Sequence, residues 1–285
     1  GTTVRAQVTN NYHTGTLQIT KQLQGDGVPD WSDGDFVFSV SCLLSDTDGT
    51  DHQVFSRTGI VLNQADGLSS AVLSGIPVGA ACTVTETSSG GADVPATPVS
   101  VTIVDGQQNV ATPTNEFNLG SLRLTLGLTL DGTPTTADPF VGGRYTVQVT
   151  CTREVNGSTQ AVPVPGGGTW TFTGPGSRVI TGLPVAATCT VRQTGASLTP
   201  QDVTYDPIGP EAPSAGSGSV TITADQDAPS TLGVIDHFVT STLVVTKRIL
   251  GSSGNAAFPF TFTVSCTLAE DGVETPHTVF GTTVE

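Results

Sequence analysis

Basic residues are scarce. Ten lysines and arginines stand against twenty-five aspartates and glutamates in 285 residues, a formal net charge of −15. So acidic a chain is repelled by phosphate backbones and by anionic bilayers, which argues against nucleic acid and membrane surfaces as partners. Long apolar runs are also missing. None approaches the roughly 18–20 residues a membrane span needs, so no membrane insertion is expected in this segment. Helix signals are nearly absent. Cysteine and histidine do not cluster: there is no C-x-x-C, and His13, His52, His237 and His277 are scattered. That leaves neither a zinc-type ligand set nor a nucleophile–base arrangement. Gly166-Gly167-Gly168 lacks the lysine and following helix of a phosphate loop and reads as a turn. No cofactor and no turnover enzyme is expected. Low charge does not mean a poor core, however: with 36% hydrophobic and 12% charged residues the chain can fold.

What is present is repetition. Leu17-Gln18-Ile19-Thr20-Lys21, Leu122-Arg123-Leu124-Thr125-Leu126 and Leu243-Val244-Val245-Thr246-Lys247 open three copies of one pattern. Each is followed by an alternation ending in cysteine: Phe38–Cys42, Val147–Cys151 and Phe262–Cys266. A fixed repeat sets the architecture before any single residue is interpreted. The expected organisation is the last strand of a preceding repeat (1–14), two full repeats (15–118 and 119–239) and a partial third (240–285), a window on a longer protein. The closing aromatics Tyr12, Phe117 and Phe238 each stand the same short step before the next opening leucine, so the linkers are short and neighbouring repeats should be stiffly joined.

Short runs rich in Val, Thr, Ile and Phe, separated by Gly, Pro, Asp and Asn, are the pattern of an all-β protein made of tandem immunoglobulin-like or prealbumin-like sandwiches. In the first repeat, strands are expected at 16–22, 35–44, 52–56, 71–73, 81–87, 99–103 and 112–117. Asp48-Gly49 and Asn156-Gly157 suit tight hairpin turns, which need positive φ; Asn156-Gly157-Ser158 also fits the glycosylation acceptor pattern. Two cysteines recur in each full repeat at similar spacing, and this reads as Cys42–Cys82 and Cys151–Cys189 disulfides, with Cys266 unpaired. Each closed loop of about 40 residues is worth roughly 4 kcal/mol on the chain-entropy estimate. Such bonds persist in oxidising compartments, which places the protein outside the cell or at its surface. The alternative, two buried free thiols per repeat, leaves the recurrence of the pairing without a reason.

Strand parity supplies the sharpest clue. Residues i and i+2 share a face, so Lys21 follows Leu17 and Ile19 into the core, Glu86 follows Cys82 and Val84, and Asn115 shares the face of Phe117. Buried charge is costly unless paired. Here the chain resembles a known family. The opening Leu-x-Ile-Thr-Lys, Gly75-Ile76-Pro77-Val78-Gly79, the segment ending in Glu86, and Thr114-Asn115-Glu116-Phe117 resemble the collagen-adhesin B-type (prealbumin-like) repeats of Gram-positive surface proteins and pilins. The set is similar above all to tandem repeats of actinobacterial cell-surface proteins. The resemblance implies an intramolecular isopeptide bond with Lys21 as nucleophile, Asn115 as acceptor and Glu86 as proton shuttle. Two other arrangements satisfy the same parity: an ion pair hydrogen-bonded to Asn115, or a Lys21 ammonium that reaches solvent at the strand end. The second repeat carries Leu126, Gln193 and Asp236 at these positions, so no such bond can form there.

The acid spacing of Asp46, Asp48 and Asp51 resembles part of a calcium loop but lacks the distal bidentate glutamate. The Pro-, Gly- and Ser-rich segment 200–219 reads as a surface loop. The expected role is structural: stalk or shaft repeats of a secreted or wall-attached adhesin or filament, whose partners are neighbouring repeats and, in a filament, other copies. The alternative is a module that binds a glycan or host protein.

Overall fold

A computed structural model describes residues 3–137, 140–206, 216–224, 229–248, 250, 261–270 and 273–284. The chain divides into two compact units, Gly1–Leu119 with Arg153–Gln160 and Pro184–Ala186, and Gly120–Thr152 with Ala161–Leu183 and Ala187–Glu285.

The first unit is built from β1 (Thr14–Ile19), β2 (Gln22–Gln24), β3 (Phe36–Ser45), β4 (Asp51–Leu62), β5 (Leu73–Pro77), β6 (Ala81–Ser89), β7 (Val99–Thr102), β8 (Gln108–Ala111) and β9 (Thr114–Glu116). One sheet runs β5-β1-β8 and is extended by the β2-β9 pair; the other runs β4-β3-β6-β7. Alternation does the sorting. Phe36, Phe38, Val40 and Cys42 on β3 point inward and meet Leu17, Ile19, Ile76, Val84 and Phe117 in one buried cluster, the two-layer packing of a β-sandwich.

The first and last strands lie side by side and parallel: β1 pairs β8 and β2 pairs β9. The expected continuous strands at 16–22 and 112–117 are each broken in two. Pro113 has no N–H to return to the ladder. Thr20 N and Gln22 N still reach Ala111 O and Pro113 O on either side of the missing donor, and the Lys21 amide, on the other edge of its strand, donates to Leu68 O at 2.7 Å.

Residues 119–238 form β10 (Leu119–Leu130), β11 (Thr133–Pro134), β12 (Arg144–Val155), β13 (Ser158–Val162), β14 (Thr169–Thr173), β15 (Gly176–Pro184), β16 (Thr188–Ala196), β17 (Asp202–Asp206), β18 (Gly218–Thr221) and β19 (Ser230–Phe238), most of them within the second unit. Here β10 pairs β19 in parallel without a break, from Leu122↔Ser230 to Leu130↔Phe238. The other sheet runs β13-β12-β16-β18. Leu122, Leu124, Leu126, Leu128, Val147, Val149, Val191, Leu232 and Val234 are buried. Within residues 200–219, β17 pairs with β19, and 207–215 lie outside the described residues.

Both disulfides are present, one per unit. Cys42 faces Cys82 across β3 and β6, and Cys151 faces Cys189 across β12 and β16. The Asn156-Gly157 turn has positive φ at both residues, and Gly49 likewise. Farther on, β20 (Phe262–Glu270) and β21 (Val273–Val284) form a hairpin, Cys266 is free, and Leu243–Lys247 is not in a strand.

Candidate functional site

The disulfide registers fix how the two units correspond. Counting four residues from the paired cysteines gives Phe38↔Glu86 in the first unit and Val147↔Gln193 in the second. On the opposite sheet Asn115 pairs with Leu23 and Asp236 with Leu128. Two residues before these partners stand Lys21 and Leu126.

In the first unit the three polar side chains converge. The Lys21 side chain is completely buried, so its ammonium does not reach solvent, and Nζ lies 3.3 Å from Glu86 Oε1. Nζ also donates to the Pro113 carbonyl at 3.4 Å and sits over the rings of Phe36 and Phe38, 5.1 and 5.8 Å from their centroids. Burial pushes the lysine pKa down from its ordinary value, against the pull of Glu86 in the other direction.

Asn115 is fully buried and every polar atom of its amide is engaged. Nδ2 donates to Glu86 Oε1 at 3.0 Å and to Ser89 O at 3.0 Å. Oδ1 accepts the Ala96 N–H at 2.7 Å, and the same N–H lies 3.1 Å from Glu86 Oε2. One carboxylate oxygen thus touches both the amine and the amide nitrogen, while a backbone N–H polarises the carbonyl. Strand parity gives access to Lys21, Glu86, Asn115 and the two phenylalanines. Ala96 lies in a loop between β6 and β7 and has no periodic signal in the sequence. The role of Pro113 depends on its carbonyl and its missing N–H.

The second unit keeps a polar pair without the amine. Gln193 Nε2 donates to Asp236 Oδ2 at 3.0 Å. Asp236 is fully buried, and Asp236 Oδ1 and Gln193 Oε1 have no hydrogen-bond partner. Burial pushes the Asp236 carboxyl up to about 6, only partly offset by the Gln193 hydrogen bond and the charge of His237.

A further likeness between the units concerns the exit of the chain. Asp26 Oδ1 accepts the Leu119 N–H at 2.9 Å, and Asp131 accepts the Thr240 N–H and hydroxyl at 2.8 and 2.7 Å. Each aspartate stands five residues after the Lys21 or Leu126 position and caps the main chain just beyond the last strand.

The sequence matches the family described as a domain of unknown function (DUF5979) twice, over residues 17–118 and 124–239. The chain belongs to this family. The two matched DUF5979 segments contain the two disulfides and both sets of corresponding positions. No curated protein matches. Among solved structures, the chain is similar to a point mutant of the major pilin of Streptococcus pyogenes, at 11% identity and TM-score 0.39, covering 81% of this chain and 100% of that one. It is similar also to the T-13 major pilin of Streptococcus pyogenes, at 14% identity and TM-score 0.40, covering 80% and 100%. A third similarity is to GBS52, a minor pilin of Streptococcus agalactiae, at 15% identity and TM-score 0.37, covering 82% and 100%.

The acids of the β3–β4 turn are hydrogen-bonded to neighbouring groups of the same hairpin. Asp46 Oδ1 accepts the N–H groups of Asp48 and Thr50, Asp46 Oδ2 meets His52 Nε2 at 2.9 Å, and Asp48 Oδ1 accepts Thr50 N. Asp51 Oδ1 accepts the Ser45 hydroxyl. Among the described residues no three His, Cys, Asp or Glu side chains are grouped to hold a metal, and no helix is long and apolar enough to cross a membrane.

Proposed function

We propose that this chain is a stretch of stalk or shaft from a secreted or wall-attached surface protein, with two full repeats at 15–118 and 119–239, and that the first repeat closes an isopeptide bond between Lys21 and Asn115. The carrying observation is Glu86 Oε1, placed within 3.3 Å of Lys21 Nζ and 3.0 Å of Asn115 Nδ2. The chemistry is that of the collagen-adhesin B-type repeats that the sequence resembles.

Glu86 takes a proton from the Lys21 ammonium, leaving a neutral amine in an apolar pocket. Nζ attacks Asn115 Cγ, and the developing charge on Oδ1 faces the Ala96 N–H, which serves as oxyanion donor. Glu86 passes its proton to Nδ2, the Cγ–Nδ2 bond breaks and ammonia leaves. The carboxylate then collects the second proton from Nζ. Five protons on the two nitrogens at the start become one on the new amide, three on ammonia and one on Glu86. The event occurs once per molecule.

A mechanical role gives this bond a purpose. Because β1–β2 and β8–β9 are parallel neighbours, tension applied through the two ends of the repeat shears the first strand against the last. A covalent tie from Lys21 to Asn115 carries that load past the rest of the sandwich. The test is intact mass under reducing and denaturing conditions. The expected product is lighter by one ammonia and yields a branched Lys21–Asn115 peptide. Recovery of both peptides unlinked, at full sequence mass, rejects the bond.

A further inference from the structure

The second unit holds a buried acid and a buried amide at the same two places as the first, with the types exchanged. In the first unit the acid is on β6 (Glu86) and the amide on β9 (Asn115). In the second the amide is on β16 (Gln193) and the acid on β19 (Asp236). The decisive difference is charge. Glu86 is balanced by the Lys21 ammonium at 3.3 Å, whereas the Lys21 position is occupied by Leu126, buried and apolar.

As an ionised pair, Asp236 and Gln193 make one hydrogen bond and leave two buried acceptors, Asp236 Oδ1 and Gln193 Oε1, with none. Buried acceptors without donors are disfavoured. A single added proton relieves both orphans, because an Oδ1–H group is a donor and Oε1 an acceptor. A carboxylic acid and a primary amide then share two antiparallel hydrogen bonds. We infer that in mildly acidic solution Asp236 holds a proton in the folded second unit, and that this proton closes a two-hydrogen-bond pair with Gln193 in place of the ion pair of the first unit. The second unit therefore carries a proton-binding site in its core. The inference does not depend on any bond forming at Lys21.

The surrounding titratable groups leave that proton in place. On β10 the neighbours Leu126 and Leu128 carry no charge, and Arg123 is exposed. On β17, Val203 is the register partner; the Tyr205 hydroxyl accepts Gln193 N at 3.1 Å and donates to Gly216 O, while Asp202 and Asp206 lie at the exposed strand ends. On β16 Arg192 is exposed, and on β12 Arg144 is exposed and Tyr145 donates its hydroxyl to Phe140 O. On β19 itself His237 alternates to the other face, where its two ring nitrogens meet the hydroxyls of Thr129 and Thr204 at 2.7 Å each.

The test is a pH titration of the whole chain carrying side-chain carboxyl-¹³C aspartate, followed by NMR, with the Asp236 resonance assigned by its loss in Asp236→Asn. The expected Asp236 midpoint is near 6, set apart from the exposed aspartates, and it stays there when potassium or ammonium is added. Leu126→Lys is expected to pull it below the ordinary aspartate range by supplying the missing cation. A wild-type midpoint among the exposed aspartates overturns the inference. So does a midpoint that moves with potassium or ammonium concentration, since a cation would then be the occupant. The wild-type measurement decides the matter even if Leu126→Lys fails to fold.

Discussion

The two units share a backbone plan and differ in how each neutralises a polar group in its core. In the first, Pro113 interrupts the parallel ladder beside Lys21 and its carbonyl accepts from Nζ. In the second, Val234 occupies the proline position, the ladder with Leu126 is continuous, and no amine is present. The proline break and the lysine therefore occur together, as do the unbroken ladder and the leucine. The ladder bond lost in the first unit is the one Pro113 has no N–H to make, and the bonds on either side of it are kept. The disulfides, by contrast, are common to both units at matching register.

The largest expected effect breaks the comparison from the first side. Asn115→Ala removes the proposed acceptor, so the mass deficit of one ammonia expected of the wild type should be absent. On the loop-closure estimate the first unit then loses about 4–5 kcal/mol of stability. The complementary experiment builds the site in the second unit. Leu126→Lys, Gln193→Glu and Asp236→Asn together should give a second ammonia loss and a branched peptide joining residues 126 and 236. If the triple variant folds but stays uncrosslinked, the requirement includes the carbonyl that Pro113 presents or the phenylalanine at position 38, where the second unit has valine.

Disulfide reduction tests what the units have in common. The loops span sequence separations of 40 and 38, so the same estimate gives each bond about 4 kcal/mol. Reductant should destabilise both units by similar amounts. The crosslinked first unit should then unfold at the higher denaturant concentration, provided the isopeptide has formed. The two tryptophans report the units separately: Trp31 packs against the first core and Trp170 is buried in the second.

A smaller effect depends on pH. Asp236 titrates near 6 in the folded unit against an ordinary 3.8. Its folded pKa is raised, so the stability it contributes is fully present below about 3.8 and is lost as pH rises through about 6, up to roughly 3 kcal/mol. The second unit should therefore unfold at lower denaturant concentration at pH 7 than at pH 5. Asp236→Asn should remove that part of the difference, because it replaces the titrating group with a permanent donor. A pH dependence unchanged by Asp236→Asn would assign it to other groups.

Much of this was legible in the sequence, for a physical reason. Alternation along strands is strict, and the cysteines anchor its phase, so the inward direction of Lys21, Glu86 and Asn115 follows from their distance to neighbouring core residues. The repeat also identifies which residues of the second unit to compare. What periodicity does not reach is the irregular backbone. Ala96, whose N–H meets Asn115 Oδ1, lies in a loop, the strand break at Lys21 depends on Pro113 across the sheet, and the exit caps of Asp26 and Asp131 depend on where the chain turns after the last strand. The expected strand at 16–22 ran through Lys21 because its residue types are all compatible with a strand; the interruption comes from the partner.

The smallest effect concerns a turn that both units use. Between β5 and β6, Gly79 has φ +86, and at the matching place between β15 and β16 Ala186 has φ +65. The left-handed conformation costs an L-residue roughly 1–2 kcal/mol, whereas glycine adopts it freely. Glycine in turn loses more freedom on folding, by roughly 0.5–1 kcal/mol relative to alanine. The balance predicts that Ala186→Gly stabilises the fold around the β15–β16 turn by about 0.5–1 kcal/mol. Gly79→Ala should destabilise the first by a similar amount, and steric conflict adds little: a Cβ there would meet only Leu44 Cδ1, at an ordinary 3.7 Å. Equilibrium denaturation of each single variant, followed at both Trp31 and Trp170, reads the two substitutions. Equal signs for the pair would mean that the turn is governed by contacts rather than by backbone conformation.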